Sequence, residues 1–408
     1  MTYEEAKAKL KVFGQEHLLH YYEELSENEK TALLEQISSL DFSYLKEFGK
    51  RSLPQSRGEI SPIRAMREQD IAPQREKLSE TGLQAIRDGR LCAVLLAGGM
   101  GTRLGFDGPK GTLDIGKTRS VFIFQRLIEN LKEVTDAAGT AIRLFIMTSD
   151  KNGAETRSFF KKHDYFGYPE EKISFFVQDM APVVDDAGKV LLETPGKIAT
   201  SPNGNGGWFR SLAGAGFLDL LNREGIEWIN VFSVDNVLQR IADPAFFGAV
   251  LESGFASGSK VIRKANREEK VGVMCLDDGK PSVIEYYEMT EELLDAKDEN
   301  GEPAYNYGVI LNYLFRIADL TEIMNSRMQI HFAHKAVSCL GPDGLPVIPD
   351  APNAWKFELF ILDLIHELSG CLPYEVVREK EFAPVKNKTG SDSILSAQAL
   401  LEQNHITL

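Results

Sequence analysis

The run Leu91-Cys92-Ala93-Val94-Leu95-Leu96-Ala97 constrains the fold more than any other stretch of this chain. It is apolar throughout, it is short, and it ends in glycines. Those properties suit a strand buried on both faces of a parallel sheet. The next hundred or so residues have the matching rhythm. A helix is expected over about 121–138, with Val121, Phe124, Leu127, Ile128, Leu131 and Val134 on one face. Then come a strand (143–147), a helix (about 155–162), a strand (173–177), a helix (about 209–222) and a strand (228–234). Such alternation implies an α/β sheet joined by right-handed crossovers. Segments 261–262, 272–276, 282–287 and 307–315 read as a more strand-rich region.

Ahead of that core, residues 1 to about 50 read as helices. Leu33, Leu34, Ile37 and Leu40 recur at helical spacing, with charged residues between them. Pro54, Ser56, Gly58, Ser61 and Pro62 break the pattern and predict an extended connector. A further helix is expected over about 76–87. The organisation expected is an N-terminal helical segment and connector over 1–88, a main domain over 89–390 and a C-terminal tail over 391–408.

Charge and cysteine usage narrow the partners. There are 46 Lys and Arg against 60 Asp and Glu, a net charge of −14. A chain this acidic is a poor candidate for duplex nucleic acid, where phosphate neutralisation supplies most of the affinity. A small anionic ligand needs only a local pocket of positive charge and backbone N–H groups. No apolar run reaches the roughly 18 residues of a membrane-spanning helix. Cys92, Cys275, Cys339 and Cys371 lie far apart and form no zinc or redox motif. The N-terminus, MTYEEAKAKLKVF, is not a secretory signal. These features predict a cytoplasmic protein with no nucleic-acid or membrane partner.

The strongest chemical signal is Leu96-Ala97-Gly98-Gly99-Met100-Gly101-Thr102-Arg103-Leu104-Gly105, followed by Pro109-Lys110-Gly111. Glycines after a buried strand let the backbone approach a ligand and turn N–H groups toward phosphate oxygens. Arg103 and Lys110 add fixed positive charge. A dinucleotide fingerprint is excluded because Leu104 stands where its third glycine is needed, and no Walker A run exists. Other segments are less specific by themselves. The stretch from Pro202 to Gly207 is a loop, and Gln178 reads as an exposed loop glutamine. Asp235, after an apolar strand, suits either a turn cap or a ligand at a strand's carboxyl end. Lys356 and Lys386 read as surface charges. His331 and His334 could share a helix face, and a structural role is favoured over metal binding. Glu291, Glu292 and Asp295 read as a solvated face.

The glycine run resembles the signature of the UDP-sugar pyrophosphorylases, the UTP-dependent sugar-1-phosphate uridylyltransferases. It is most similar to the eukaryotic-type UDP-N-acetylhexosamine enzymes, whose run reads LAGGxGTRLGxxxPKG. Ile146-Met147-Thr148-Ser149, Tyr165-Phe166-Gly167, Pro202-Asn203-Gly204-Asn205-Gly206-Gly207, Val234-Asp235-Asn236, Val271-Gly272-Val273, Glu285-Tyr286 and Pro384-Val385-Lys386-Asn387 also look like that family, in its order. The resemblance implies a Rossmann-like, glycosyltransferase-A-like nucleotidyltransferase fold, with a central mixed sheet flanked by helices. It implies that Leu96, Ala97, Gly98, Gly99, Gly101, Thr102, Met147, Gln178, Pro202, Gly204 and Lys356 bind the nucleotide. Gln178 reads the uracil edge, and Gly204 lies against the ring. The sugar side falls to Asn205, Gly272, Glu285, Tyr286, Asn306 and Val309, and Asp235 holds Mg²⁺. Arg103, Lys110 and Lys386 are the catalytic cations.

The implied reaction joins UTP and an N-acetylhexosamine 1-phosphate to give a UDP-sugar and pyrophosphate, by in-line attack on the α-phosphorus. The expected protein is a monomer or weak oligomer. The N-acetylhexosamine enzymes carry Asn-x-Gly-Asn where this chain has Asn306-Tyr307-Gly308-Val309. That departure keeps glucose and galactose 1-phosphates open as acceptors. The chain stops soon after Lys386, so the extra C-terminal domain of the eukaryotic enzymes is expected to be absent. A non-catalytic UDP-sugar-binding protein is the rival of another class. Arg103, Lys110, Asp235 and Lys386 together argue against it, because a binder does not need cations on the pyrophosphate side.

Overall fold

The apolar run becomes strand β2 (Leu91–Leu96) of a ten-stranded mixed sheet, and all of its residues are buried. The computed structural model describes residues 1–49, 51, 57–324 and 329–408. Pro54 and Ser56 of the expected connector lie outside the described residues.

The other strands of that sheet are β1 (Ile60–Pro62), β3 (Leu144–Thr148), β4 (Ile173–Val177), β5 (Trp228–Ser233), β6 (Ser257–Arg263), β7 (Val273–Asp277), β8 (Lys280–Ile284), β9 (Tyr307–Arg316) and β10 (Cys371–Glu375). The order is β1-β7-β9-β5-β2-β3-β4, with β6 pairing β9 and β10, and β8 pairing β7. The block β5-β2-β3-β4 is parallel, in register Leu96 opposite Met147 on one side and Ser233 on the other. β9 then runs antiparallel to β5, with Asn312 opposite Phe232. Strand order reverses at β2, since the chain leaves it toward β3 on one side and returns to β5 on the other. Open α/β sheets bind ligands in the crevice at such a reversal, outside the carboxyl ends.

Helix Ile123–Ala138 buries the predicted face, including Phe124, Leu127, Ile128, Leu131 and Val134, against this sheet's core. The single helix expected over 209–222 is two, Trp208–Gly214 and Phe217–Arg223. Gly216 takes a left-handed φ of +82° between them, which ends the helical run. The connector also differs from expectation. Ser61 and Pro62 belong to β1, an edge strand on β7, and the Gly58 N–H donates to Asp277 Oδ1 at 2.8 Å. The strand expected over 282–287 stops at Ile284, where Glu288 Oε2 takes the Glu285 N–H at 2.9 Å.

Packing groups the chain differently from its linear division. One compact unit contains Met1–Ser56, Asp179–Gly207 and Arg327–Ile361; the other contains Arg57–Gln178, Trp208–Ser326 and Leu362–Leu408. In the first, helices Tyr3–Val12, Glu27–Ser39 and Tyr44–Phe48 share a core with Ala181, Val184, Val190, Ile198 and Phe357. Capping boxes at Thr2 and Ser26 start the first two helices. In the second, the stretch expected as a tail forms helix Ile394–Gln403, and Ala397, Leu401 and Leu408 join the sheet's core. No described helix is long and apolar enough to cross a membrane.

Helices Arg75–Arg87 and Pro244–Ser253 meet through glycines. A Cβ on Gly82 would lie 2.0 Å from the Pro244 carbonyl oxygen, and one on Gly248 would lie 2.0 Å from that of Leu78. Alanine at Gly82 gains about 1 kcal/mol of helix propensity. Separating two packed backbones costs more, so Gly82→Ala is expected to lower stability by about 2 kcal/mol net. The urea unfolding midpoint checks this, and a midpoint at or above wild type refutes the close crossing.

Candidate active site

Past Leu96 the pairing continues briefly and then opens. The Ala97 N–H still donates to Met147 O at 2.8 Å, and the Val234 N–H to Leu96 O at 3.2 Å. Beyond these, the loops after β2 and β5 separate, and their backbone groups need other partners.

The glycine loop folds back on itself. The Gly101 N–H donates to Gly108 O at 2.9 Å and the Lys110 N–H to Gly99 O at 3.2 Å, with Met100 bridged to Pro109. Thr102–Leu104 is a 3-10 turn that leaves Thr102 and Arg103 exposed. The Asn152 amide clamps the loop's start, donating to Ala97 O at 2.9 Å and Gly99 O at 3.3 Å, while its oxygen accepts the Ser149 N–H at 2.8 Å. Asn152 is wholly buried. Sequence reading missed it, although it follows the Ile146-Met147-Thr148-Ser149 motif closely.

Gln178 follows β4 and is buried rather than exposed. A Cβ on Gly98 would lie 2.9 Å from Gln178 Oε1, so this amide lies close against the loop backbone and would have to shift to admit a side chain there. An amide carries both a donor and an acceptor. Leu96, Ala97, Gly98, Gly99, Gly101, Met147 and Gln178 are thus brought together at the carboxyl ends of β2, β3 and β4.

Lys110 reaches across to the loop after β5 and forms an ion pair with Asp235, the two side chains 12% and 28% exposed. Asn236 secures the segment that carries Lys386. Its amide donates to Glu381 O at 2.6 Å, its oxygen accepts the Ala383 N–H at 2.9 Å, and the Val385 N–H donates to Asp235 O at 2.9 Å. The exposed Lys386 therefore follows a segment tied to the Asp235 backbone. Nearby, burial raises the Asp392 carboxyl above its ordinary range. Lys386 and Arg378 oppose that rise, and Glu269 and Asp235 add to it. Arg103 has no hydrogen-bond or ion-pair partner among the described residues. No group of three or more His, Cys, Asp or Glu residues able to hold a metal occurs among them.

The residues expected on the sugar side divide. Register places the part of β9 before Asn312 beyond the carboxyl end of β5. There the Val309 N–H donates to Gly272 O at 2.9 Å, and a Cβ on Gly272 would lie 3.4 Å from Glu285 Oε2. Gly272, Glu285 and Val309 are thus gathered. Tyr286 is exposed and packs edge-on to Tyr287. Asn306 is engaged elsewhere, its Oδ1 accepting the Lys264 N–H at 3.0 Å.

Pro202, Gly204, Asn205 and Lys356 belong to the other compact unit. Gly204 has φ of +87°, and a Cβ there would lie 2.3 Å from Leu359 O. Asn205 Oδ1 accepts the Ile361 N–H at 3.0 Å. Lys356 sits on strand Ala354–Glu358, paired with His331–Lys335. His331 and His334 therefore lie on a strand, not a helix. They stack on Phe360 and Trp355 at 4.3 and 4.4 Å, the structural role expected of them.

Known proteins resemble this chain over most of its length. A family model described as UTP–glucose-1-phosphate uridylyltransferase matches residues 42–408. The UDP-N-acetylglucosamine pyrophosphorylase of Saccharomyces cerevisiae is 36% identical over 93% of this chain and 84% of its own. UDP-N-acetylhexosamine pyrophosphorylase-like protein 1 of Mus musculus is 34% identical over 95% and 81%. The crystal structure of the uridine diphosphate N-acetylglucosamine pyrophosphorylase from Trypanosoma brucei, in complex with inhibitor, superimposes with a TM-score of 0.83 at 29% identity, covering 98% of this chain and 84% of that one. With that family model matching residues 42–408, the chain belongs to the UTP–glucose-1-phosphate uridylyltransferase family.

Proposed function

We propose that the chain converts UTP and N-acetylglucosamine 1-phosphate to UDP-N-acetylglucosamine and pyrophosphate. One observation carries this reading. Lys110 and Asp235 pair where strand order reverses, and the segment leading to Lys386 is hydrogen-bonded to the Asp235 backbone. The relatives' names supply the sugar.

A phosphate monoester is already an anionic nucleophile at neutral pH, so its oxygen attacks the α-phosphorus without a side-chain base. The difficulty is bringing two anions together. Positioned cations lower that barrier electrostatically, much as in other phosphoryl and nucleotidyl transfers. Lys110 stands at the end of the glycine loop, Arg103 lies on the exposed turn within that loop, and Lys386 follows the segment bonded to the Asp235 backbone; these are the cations that would meet the phosphates. Gln178 is suited to the uracil edge. Asp235 fits Mg²⁺ as a single partly exposed carboxylate, the donor set that ion takes when substrate phosphates complete its shell. When bound, Mg²⁺ would add positive charge at the phosphates.

Val309 favours a second acceptor. It offers the acceptor an apolar contact and no side-chain amide, so glucose 1-phosphate is a competing substrate. An apolar contact discriminates by only about 10–200-fold. Pyrophosphate release with UTP and Mg²⁺ is therefore expected to be fastest with N-acetylglucosamine 1-phosphate, with glucose 1-phosphate slower by no more than about 200-fold. Release only with glucose or galactose 1-phosphate moves the assignment to the second reading. No release with any of them, with UTP still bound, favours a non-catalytic binder.

Lys386→Ala is expected to lower kcat by about 100-fold or more, the effect of deleting one preorganised charge donor. Because Lys386 is exposed, the free energy of unfolding should stay within about 0.5 kcal/mol of wild type. An unchanged kcat refutes its role.

A further inference from the structure

Lys260 is a wholly buried charge in β6, a strand paired on both edges by β9 and β10. Its ammonium donates to Glu381 Oε2 at 2.5 Å and to Arg240 O at 3.1 Å, and Asp243 Oδ2 lies 2.9 Å away. The buried ammonium thus has two hydrogen-bond acceptors and a second carboxylate beside it. Each partner has a different duty. Asp243 caps helix Pro244–Ser253 through the Ala245 N–H. Arg240 lies shortly after Asp235. Glu381 opens the segment that Asn236 and Asp235 hold and that carries Lys386.

Apolar packing does not confine Glu381 by itself. Its side chain borders a cavity of about 460 Å³, also lined by Leu238, Gln239, Arg240 and Val377. Burial works to raise the Glu381 carboxyl above its ordinary range, and Lys260 opposes that rise. A buried ion pair is weak evidence for stability, because well-packed apolar residues often serve as well. What charge supplies here is direction, since it draws the segment toward one fixed point on the sheet.

We propose that the Lys260–Glu381 pair is a positioning device that fixes the 381–386 segment against the sheet and so holds the Lys386 ammonium at the phosphates beside Asp235. The proposal rests on the uridylyltransferase reading of Lys386 and names the groups that act through it. Neither Lys260 nor Glu381 touches substrate.

The test is a double-mutant cycle in the full chain, reading pyrophosphate release from UTP and N-acetylglucosamine 1-phosphate with Mg²⁺. Glu381→Gln keeps the side chain's shape and an acceptor, and leaves Asp243 as counter-ion to Lys260. It is expected to lower kcat about 10-fold, the scale of effect of a misplaced catalytic group, with KM for UTP changed by less than about twofold. In the Lys386→Ala background the same change is expected to have no further effect. Glu381→Asp, which keeps the charge and shortens its reach, should show a smaller loss with the same dependence on Lys386, and it serves if Glu381→Gln does not fold. Equal losses in both backgrounds overturn the proposal, because a merely structural role is additive. An unchanged kcat in Glu381→Gln overturns it while leaving the role of Lys386 intact. An unchanged kcat in Lys386→Ala overturns that underlying role, and the proposal with it.

Discussion

Strand β2 is hydrogen-bonded to a parallel neighbour on each side and buried on both faces, and the site is set by how the chain leaves it. Inside the sheet every N–H and C=O has a ladder partner. At the carboxyl end the ladder stops, and buried backbone groups must be satisfied some other way. Two wholly or almost wholly buried asparagines do this. Asn152 closes the loop after β2 by taking the carbonyls of Ala97 and Gly99, and Asn236 closes the loop after β5 by holding the 381–383 backbone. Neither needs to meet substrate. Both convert flexible glycine-rich or extended chain into a fixed surface from which N–H groups and cations can project.

The Lys110–Asp235 pair joins those two loops by charge. Both side chains keep some exposure, so the pair lies between the surface regime, worth about 1 kcal/mol or less, and the deeply buried one. A partly exposed pair suits this position. On the proposed reading, phosphate oxygens would take over Lys110 and a divalent ion Asp235, without a fully desolvated attraction having to be broken first. The contrast with Lys260 is instructive. That ammonium is wholly buried between two carboxylates and cannot be exchanged for ligand, so it fixes geometry where Lys110 offers charge.

Much of this was legible in the sequence, because local chemistry determined it. A continuous apolar run closed by glycines can hardly be anything but an interior strand. The face of helix Ile123–Ala138 was written in its spacing, and Arg103, Lys110 and Asp235 stood in runs whose motif is dense enough to identify. The features that escaped depend on distant partners. Asn152 looks like a turn residue until the carbonyls it holds are known, and the motif around Asn236 does not show that it binds the 381–383 backbone. Residues 391–408 read as a tail, yet Ala397, Leu401 and Leu408 fill a core built hundreds of residues earlier in the chain. His331 and His334 have a spacing that suits a helix, but pairing with Ala354–Glu358 made their segment a strand. Lys260 was invisible for the same reason, since its two counter-ions come from separate stretches of chain.

The acidity of the chain bears on how a polyanionic substrate can be held. A net charge of −14 opposes the approach of a nucleoside triphosphate at long range. At physiological ionic strength that field is screened beyond about 8 Å. Within that distance local charge decides, and on the proposed reading Arg103, Lys110 and Lys386 supply it, with Lys388 close to the glycine loop. Lys388 Nζ comes within 3.7 Å of where a Cβ on Gly105 would stand. On that reading affinity would arise from contacts made at close range, which reward a ligand with its phosphates in one geometry. A long uniform polyanion gains little from so small a cluster and meets the acidic surface on either side. The same composition that disfavours duplex nucleic acid is compatible with the proposed compact phosphate site, which would select by shape.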